Sequence, residues 1–142
     1  MRTFVAIEVS NKDVLNSIHK IQAELNIKAK PVELHNMHFT VQFLGEVSEE
    51  MVGKISDALN SLEFSPFSIS FASIGVFPKP SFPRVIWIGT NDGVNELEKL
   101  VEIIRSKLLQ LGFSPDKKFK PHVTIFRVKN KIGDISSKLE KF

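Results

Sequence analysis

The sequence predicts an α+β fold in which helices cover largely antiparallel sheet, arranged as two pseudo-symmetric lobes. Segments of period 2 and period 3.6 follow one another in the order strand, helix, strand, helix, strand, strand, helix, strand. Asn-Met-His-Phe-Thr-Val at 36 to 41 is echoed by Lys-Pro-His-Val-Thr-Ile at 120 to 125, each copy in a strand that follows a helical unit. The chain has 142 residues, 42% hydrophobic and 25% charged, which suits one soluble domain spanning 1–142.

The elements follow in order. Residues 3 to 9 are β-branched and apolar, a strand; Ser10 and Asn11 then offer capping oxygens to a helix with Val14, Leu15, Ile18, Ile21, Gln22 and Leu25 at helical spacing. Pro31 closes that unit, and residues 36 to 44 return to alternation until Gly45 stops the strand. Ser48-Glu49-Glu50-Met51 starts a second helix, with Val52, Ile55, Leu59 and Leu62 on one face and Ser65-Pro66 at its end. Residues 67 to 77 alternate again, a stiff Pro78 to Pro83 loop follows, and Arg84 to Gly89 forms the next strand. Asn91-Asp92-Gly93 turns into a long helix from Val94 to Leu111, which Gly112 terminates, and a last strand runs near 119 to 128.

Composition narrows the chemistry. With no cysteine there is no disulfide, thiolate nucleophile or Fe–S cluster, which fits a reducing compartment, and the cytoplasm is the expected location. No apolar run reaches the roughly 18 residues that span a bilayer, so no membrane partner is expected. A net charge of +3 mildly favours an anionic partner, and Lys117, Lys118, Lys120, Arg127, Lys129 and Lys131 gather toward the C-terminal third. A solvated basic edge explains that cluster equally well.

The chemistry-bearing signal is the repeated His-x-Thr. Along a strand, residues i and i+2 share a side, so His38 and Thr40 face one way while Phe39, Val41 and Phe43 face the core. His122 and Thr124 repeat that geometry, with Val123 and Ile125 opposite. A lone histidine of this kind is more often a hydrogen-bonded structural residue than a catalyst. Two of four histidines carrying the pattern, in a chain with four threonines, arise by chance in roughly 1 sequence in 200. Two imidazoles at one site can divide the roles of base and acid near neutral pH, as phosphodiester cleavage requires, while hydroxyls hold the nonbridging oxygens. A metal site built on His35 and His38 is the competing reading; three apart on a strand they face opposite sides, and no carboxylate cluster completes a set. His35 and His19 read as surface or helix-boundary residues, and no glycine loop suggests a nucleoside triphosphate.

The chain resembles the 2H phosphoesterase superfamily, specifically the RNA 2′,3′-cyclic phosphodiesterases also described as 2′-5′ RNA ligases. The resemblance rests on Phe4-Val-Ala-Ile-Glu, His38-Phe-Thr-Val-Gln-Phe-Leu-Gly-Glu-Val, Ile74-Gly-Val-Phe-Pro, Pro83-Arg-Val-Ile-Trp-Ile-Gly and Pro121-His-Val-Thr-Ile-Phe-Arg-Val-Lys, and runs from Thr3 to about Lys129. It implies a bilobal fold with a central cleft, in which His38 is the proton donor and His122 the proton acceptor. It likewise implies that Thr40, Thr124 and Arg127 bind the phosphate, in a metal-independent reaction without a cofactor. Strict alternation places Arg127 opposite His122 unless the strand twists or bulges. The implied partner is RNA with a 2′,3′-cyclic phosphate end, tRNA fragments among the candidates, with weak 2′-5′ joining as a side activity; the sequence leaves the oligomeric state open, with a monomer favoured. Relatives usually continue into a further strand pair, so the chain reads as short at its C-terminus. The alternative function is a noncatalytic RNA-end binding module.

Overall fold

A computed structural model describes every residue except Asp116. The elements are β1 (Arg2–Glu8), α1 (Lys12–Leu25), β2 (Lys30–Pro31), a 3-10 turn at Leu34–Asn36, β3 (His38–Glu46), α2 (Glu49–Asn60), β4 (Phe71–Lys79), β5 (Phe82–Thr90), α3 (Val94–Gln110), β6 (His122–Arg127) and α4 (Ser136–Leu139). The chain divides into two compact units, each assembled from three separate stretches of sequence.

The first unit comprises Met1–Ile7, Thr40–Ser70 and Asp92–Pro121. Here β1 pairs with β3, and α2 packs on α3. Helix α3 buries Leu97, Leu100, Val101, Ile104 and Leu108, the stripe its period-3.6 pattern predicts. Its start depends on Gly93, whose φ of +84° suits glycine and whose missing Cβ leaves room for the Ser68 carbonyl. Helix α2 begins as expected, with the Ser48 side chain accepting from the Met51 amide at 3.2 Å. One expectation fails in β3: Phe43 does not join the core but is 62% exposed, its ring 5.8 Å from that of Phe4. The cause is a break in alternation, because Val41 and Gln42 are both buried in succession. The Val41 carbonyl accepts from both Nε and Nη2 of Arg105, at 3.2 and 2.9 Å, and Gln42 Nε2 donates to the Phe113 carbonyl at 3.4 Å.

The second unit comprises Glu8–Phe39, Phe71–Asn91 and His122–Phe142. Its centre is a four-stranded sheet of order β2-β6-β5-β4, antiparallel throughout. One face is core: Ile86 and Ile88 of β5 and Val123, Ile125 and Phe126 of β6 are buried, together with Ile18 and Leu25 of α1. Helix α1 is capped by Asn11, whose Oδ1 accepts from the Val14 amide at 3.1 Å. The predicted Pro78 to Pro83 loop is shorter than expected: β4 runs to Lys79 and β5 resumes at Phe82, leaving a tight hairpin around Pro80 and Ser81. At the other end, residues 67 to 70 do not join β4 and belong to the first unit, where the Ser70 amide donates to the Asp92 carbonyl at 3.1 Å.

Candidate active site

The register of the four-stranded sheet decides which side chains share the face opposite its core. Residues directly opposite in an antiparallel pair point to the same side. Gly89 is paired with His122, Trp87 with Thr124 and Val85 with Arg127, and those three β5 residues alternate onto one face. His122, Thr124 and Arg127 therefore share that face, although simple alternation along β6 would put Arg127 on the other. The reason is a bulge: Ile86 pairs with Phe126 and Trp87 with Thr124, so Ile125 is an extra residue in β6.

The bulge has a clear energetic origin. It lets Ile125 and Phe126, neighbours in sequence, both be buried, and a second buried side chain of this size is worth about 2 kcal/mol. A lost ladder hydrogen bond costs about 1 kcal/mol, and here it is replaced. The Ile125 carbonyl accepts from the Val32 amide at 2.9 Å and from Gln22 Nε2 at 3.0 Å. Gln22 also donates to the Val32 carbonyl at 3.0 Å and is only 7% exposed. A polar residue on the apolar stripe of α1 thus holds the distortion that turns Arg127 toward the side of His122.

Around His122 the packing is aromatic. The Trp87 indole lies 5.6 Å from the imidazole, centroid to centroid, at an interplanar angle of 63°, an edge-to-face contact. Trp87 is in turn paired with Gly75 of β4, and a Cβ at Gly75 would overlap the indole ring. The absence of a side chain at Gly75 lets the indole lie across the sheet and reach His122. Sequence pattern alone assigns this supporting pair no role; the signal in the sequence is the one tryptophan of the chain, on a strand and flanked by isoleucines.

His38 is set differently. It follows the 3-10 turn, and its Nδ1 lies 2.6 Å from the Asn36 carbonyl. A carbonyl oxygen only accepts, so Nδ1 is the ring nitrogen that carries a hydrogen toward it. The turn is anchored by Met37, fully buried, whose carbonyl accepts from the Val9 amide at 3.0 Å. His38 belongs to the second unit with His122, Thr124 and Arg127, whereas Thr40, two residues on, belongs to the first. Thr40 is half-buried between buried Phe39 and Val41, and the Arg105 bonds fix the carbonyl of the residue after it. His35 is exposed, its Nε2 3.2 Å from a carboxylate oxygen of Glu33, and His19 is exposed on α1. Lys117, Lys118, Lys120, Lys129 and Lys131 are all exposed.

The chain is similar to known proteins over most of its length. The family model described as LigT like Phosphoesterase matches residues 7–87 and again 88–142, each match containing one His-x-Thr pair. A protein of Archaeoglobus fulgidus named RNA 2′,3′-cyclic phosphodiesterase is 41% identical over 144 residues, covering 100% of this chain and 81% of its own length. A protein of the same name from Methanocaldococcus jannaschii is 41% identical over 131 residues, covering 91% of this chain and 72% of that one. The crystal structure of E. coli LigT in apo form superposes with a TM-score of 0.75 at 26% identity, covering 92% of this chain and 73% of LigT. Matched along both halves and related to these proteins over most of its length, the chain belongs to the LigT-like family of 2H phosphoesterases.

Proposed function

We propose that the protein hydrolyses RNA-terminal 2′,3′-cyclic phosphates to 2′-phosphates, with two histidines as acid and base and no metal. Water attacks phosphorus and the bond to O3′ breaks. His122 takes the proton of the attacking water, and Nε2 of His38 supplies one to the departing O3′, so the products are a 2′-phosphate and a 3′-hydroxyl. The hydroxyls of Thr40 and Thr124 donate to the nonbridging oxygens, and the Arg127 guanidinium offsets the charge that builds there in the transition state. A 5′-hydroxyl in place of water gives a weak 2′-5′ joining reaction by the same proton transfers. The setting we assign is the cytoplasm, with the enzyme acting as a monomer on RNA ends such as those of tRNA fragments.

The observation that carries this reading is the register that puts His122, Thr124 and Arg127 on one face of the sheet. The names of the curated relatives support the same substrate class. The test is incubation, in EDTA, of an RNA oligonucleotide ending in a 2′,3′-cyclic phosphate with wild type, His38→Ala and His122→Ala. Wild type is expected to release the 2′-phosphate with a bell-shaped pH profile, and each variant to turn over about 10²-fold more slowly. Equal rates for His38→Ala and wild type would remove the acid–base assignment, and binding by wild type without conversion would leave a noncatalytic RNA-end binding module.

A further inference from the structure

We infer that the tip of the β4–β5 hairpin is a stacking platform for the nucleotides upstream of the cyclic phosphate, an inference that rests on the phosphodiesterase reading for the position of the RNA end. The sheet register extends the face that carries His122. Phe77 is paired with Val85, which is paired with Arg127, which is paired with Lys30, so Phe77 stands in the same row as Arg127 on the same side. Phe77 is 62% exposed and Phe82, near the turn, 43% exposed. The Arg84 guanidinium lies 5.7 Å from the Phe82 ring centroid, and its Nη1 donates to the Lys129 carbonyl at 3.3 Å. That tie joins the hairpin to the chain just beyond β6.

The chemistry of the surface selects the occupant. The four strands of the sheet carry Lys30, Lys79, Arg84 and Arg127 and no aspartate or glutamate. Open aromatic faces among cations without anions suit a single-stranded polyanion whose bases stack, a combination found wherever proteins hold single-stranded nucleic acid without reading its sequence. Distance selects the part of the RNA. Gly89, beside His122, lies seven steps along β5 from Phe82, about 23 Å at the usual strand rise. The rings therefore meet nucleotides on the 5′ side of the reacting one.

The experiment compares two substrates, adenosine 2′,3′-cyclic phosphate and a fluorescein-labelled RNA decamer with the same cyclic end, across wild type, Phe77→Ala/Phe82→Ala, Phe77→Leu/Phe82→Leu and Phe77→Trp/Phe82→Trp. The quantity read is the ratio of kcat/KM for decamer over mononucleotide. It is expected to fall about tenfold in the alanine and leucine variants, which lack rings, and to be kept in the tryptophan variant. A ratio that stays at the wild-type value in the alanine variant overturns the platform, and so does a leucine variant that behaves as wild type. If wild type converts neither substrate, the phosphodiesterase reading fails by itself. The anisotropy of the same labelled decamer then decides the platform: about tenfold weaker binding by the alanine variant supports it, and unchanged binding overturns it.

Discussion

Trp87 and His122 pack at a steep angle with ring centroids 5.6 Å apart, and the indole reaches that position across a strand residue, Gly75, that has no side chain to block it. Gly75→Ala is therefore expected to displace the indole and lower turnover about tenfold, and Trp87→Ala to do the same by removing the contact, since small misplacements of a reacting group are costly. The two effects are coupled. With Trp87 already alanine, the methyl at position 75 has space, so Gly75→Ala adds little in that background, a coupling that a double-mutant cycle of kcat/KM and thermal stability measures. Full additivity of the two substitutions would show that Gly75 acts elsewhere.

Gln22 donates to two backbone carbonyls, and one of them belongs to the extra residue of the β6 bulge. Gln22→Leu leaves both oxygens buried without that donor and is expected to cost about 1–3 kcal/mol of stability, read by urea unfolding. Gln22→Glu is harsher because a carboxylate would face two carbonyl oxygens. Burial and those oxygens raise the folded-state pKa of the introduced carboxyl, so the folded state binds its proton more tightly than the unfolded one. Stability of this variant is then expected to fall as pH rises through the ordinary carboxylate range and beyond, whereas the leucine variant shows no such added dependence.

Much of this was legible in the sequence because it rests on local pattern. The His-x-Thr strands, the Asn11 and Ser48 caps and the stripe of α3 follow from periodicity and side-chain chemistry within a few residues. What escaped depends on partners distant in sequence. The side of Arg127 is set by a bulge whose extra carbonyl is satisfied by Gln22, 103 residues away, and alternation alone gives the opposite answer. Phe43 departs from its expected place for a related reason, since the buried Gln42 beside Val41 breaks a pattern that reads as regular. Strand β2, two residues long, carries no periodic signal at all.

Arg127 is exposed, so its replacement is expected to change binding rather than folding. Arg127→Ala should lower kcat/KM about 10²-fold, and Arg127→Lys should recover part of it, keeping charge without the two-pronged guanidinium geometry. Unfolding midpoints of both variants should stay close to wild type. A loss of stability equal to the loss of activity would mean that the arginine supports the sheet instead of the phosphate.

The Asp134 carboxylate accepts from the Ser136 hydroxyl at 2.6 Å and from the Ser136 amide at 2.8 Å, and these bonds hold its pKa below the usual carboxylate value. A depressed folded-state pKa means a stabilising contribution that is present above the unfolded pKa and lost as pH falls through the folded one. An NMR titration of the Asp134 side chain should place its midpoint lower in wild type than in Ser136→Ala. Equal midpoints would show that the hydroxyl bond, the larger of the two causes, does not form in solution.

Arg105 ties α3 to β3 through one guanidinium. Its Nε and Nη2 both donate to the Val41 carbonyl, at 3.2 and 2.9 Å, while Nη1 donates to the Lys117 carbonyl at 2.9 Å. A lysine has the charge but a single nitrogen, which cannot keep the fork on one oxygen and reach the second carbonyl as well. Arg105→Lys is therefore expected to cost about 1–2 kcal/mol of stability, and Arg105→Met slightly more, because the buried Val41 oxygen then has no replacement donor. Since Val41 directly follows Thr40, the lysine variant should also lower kcat/KM in a Thr40 background but add nothing once Thr40 is valine. Calorimetry checks the first expectation and kinetics of Arg105→Lys with and without Thr40→Val the second; an undiminished kinetic effect in the valine background would separate Arg105 from the threonine and leave it a purely structural tie.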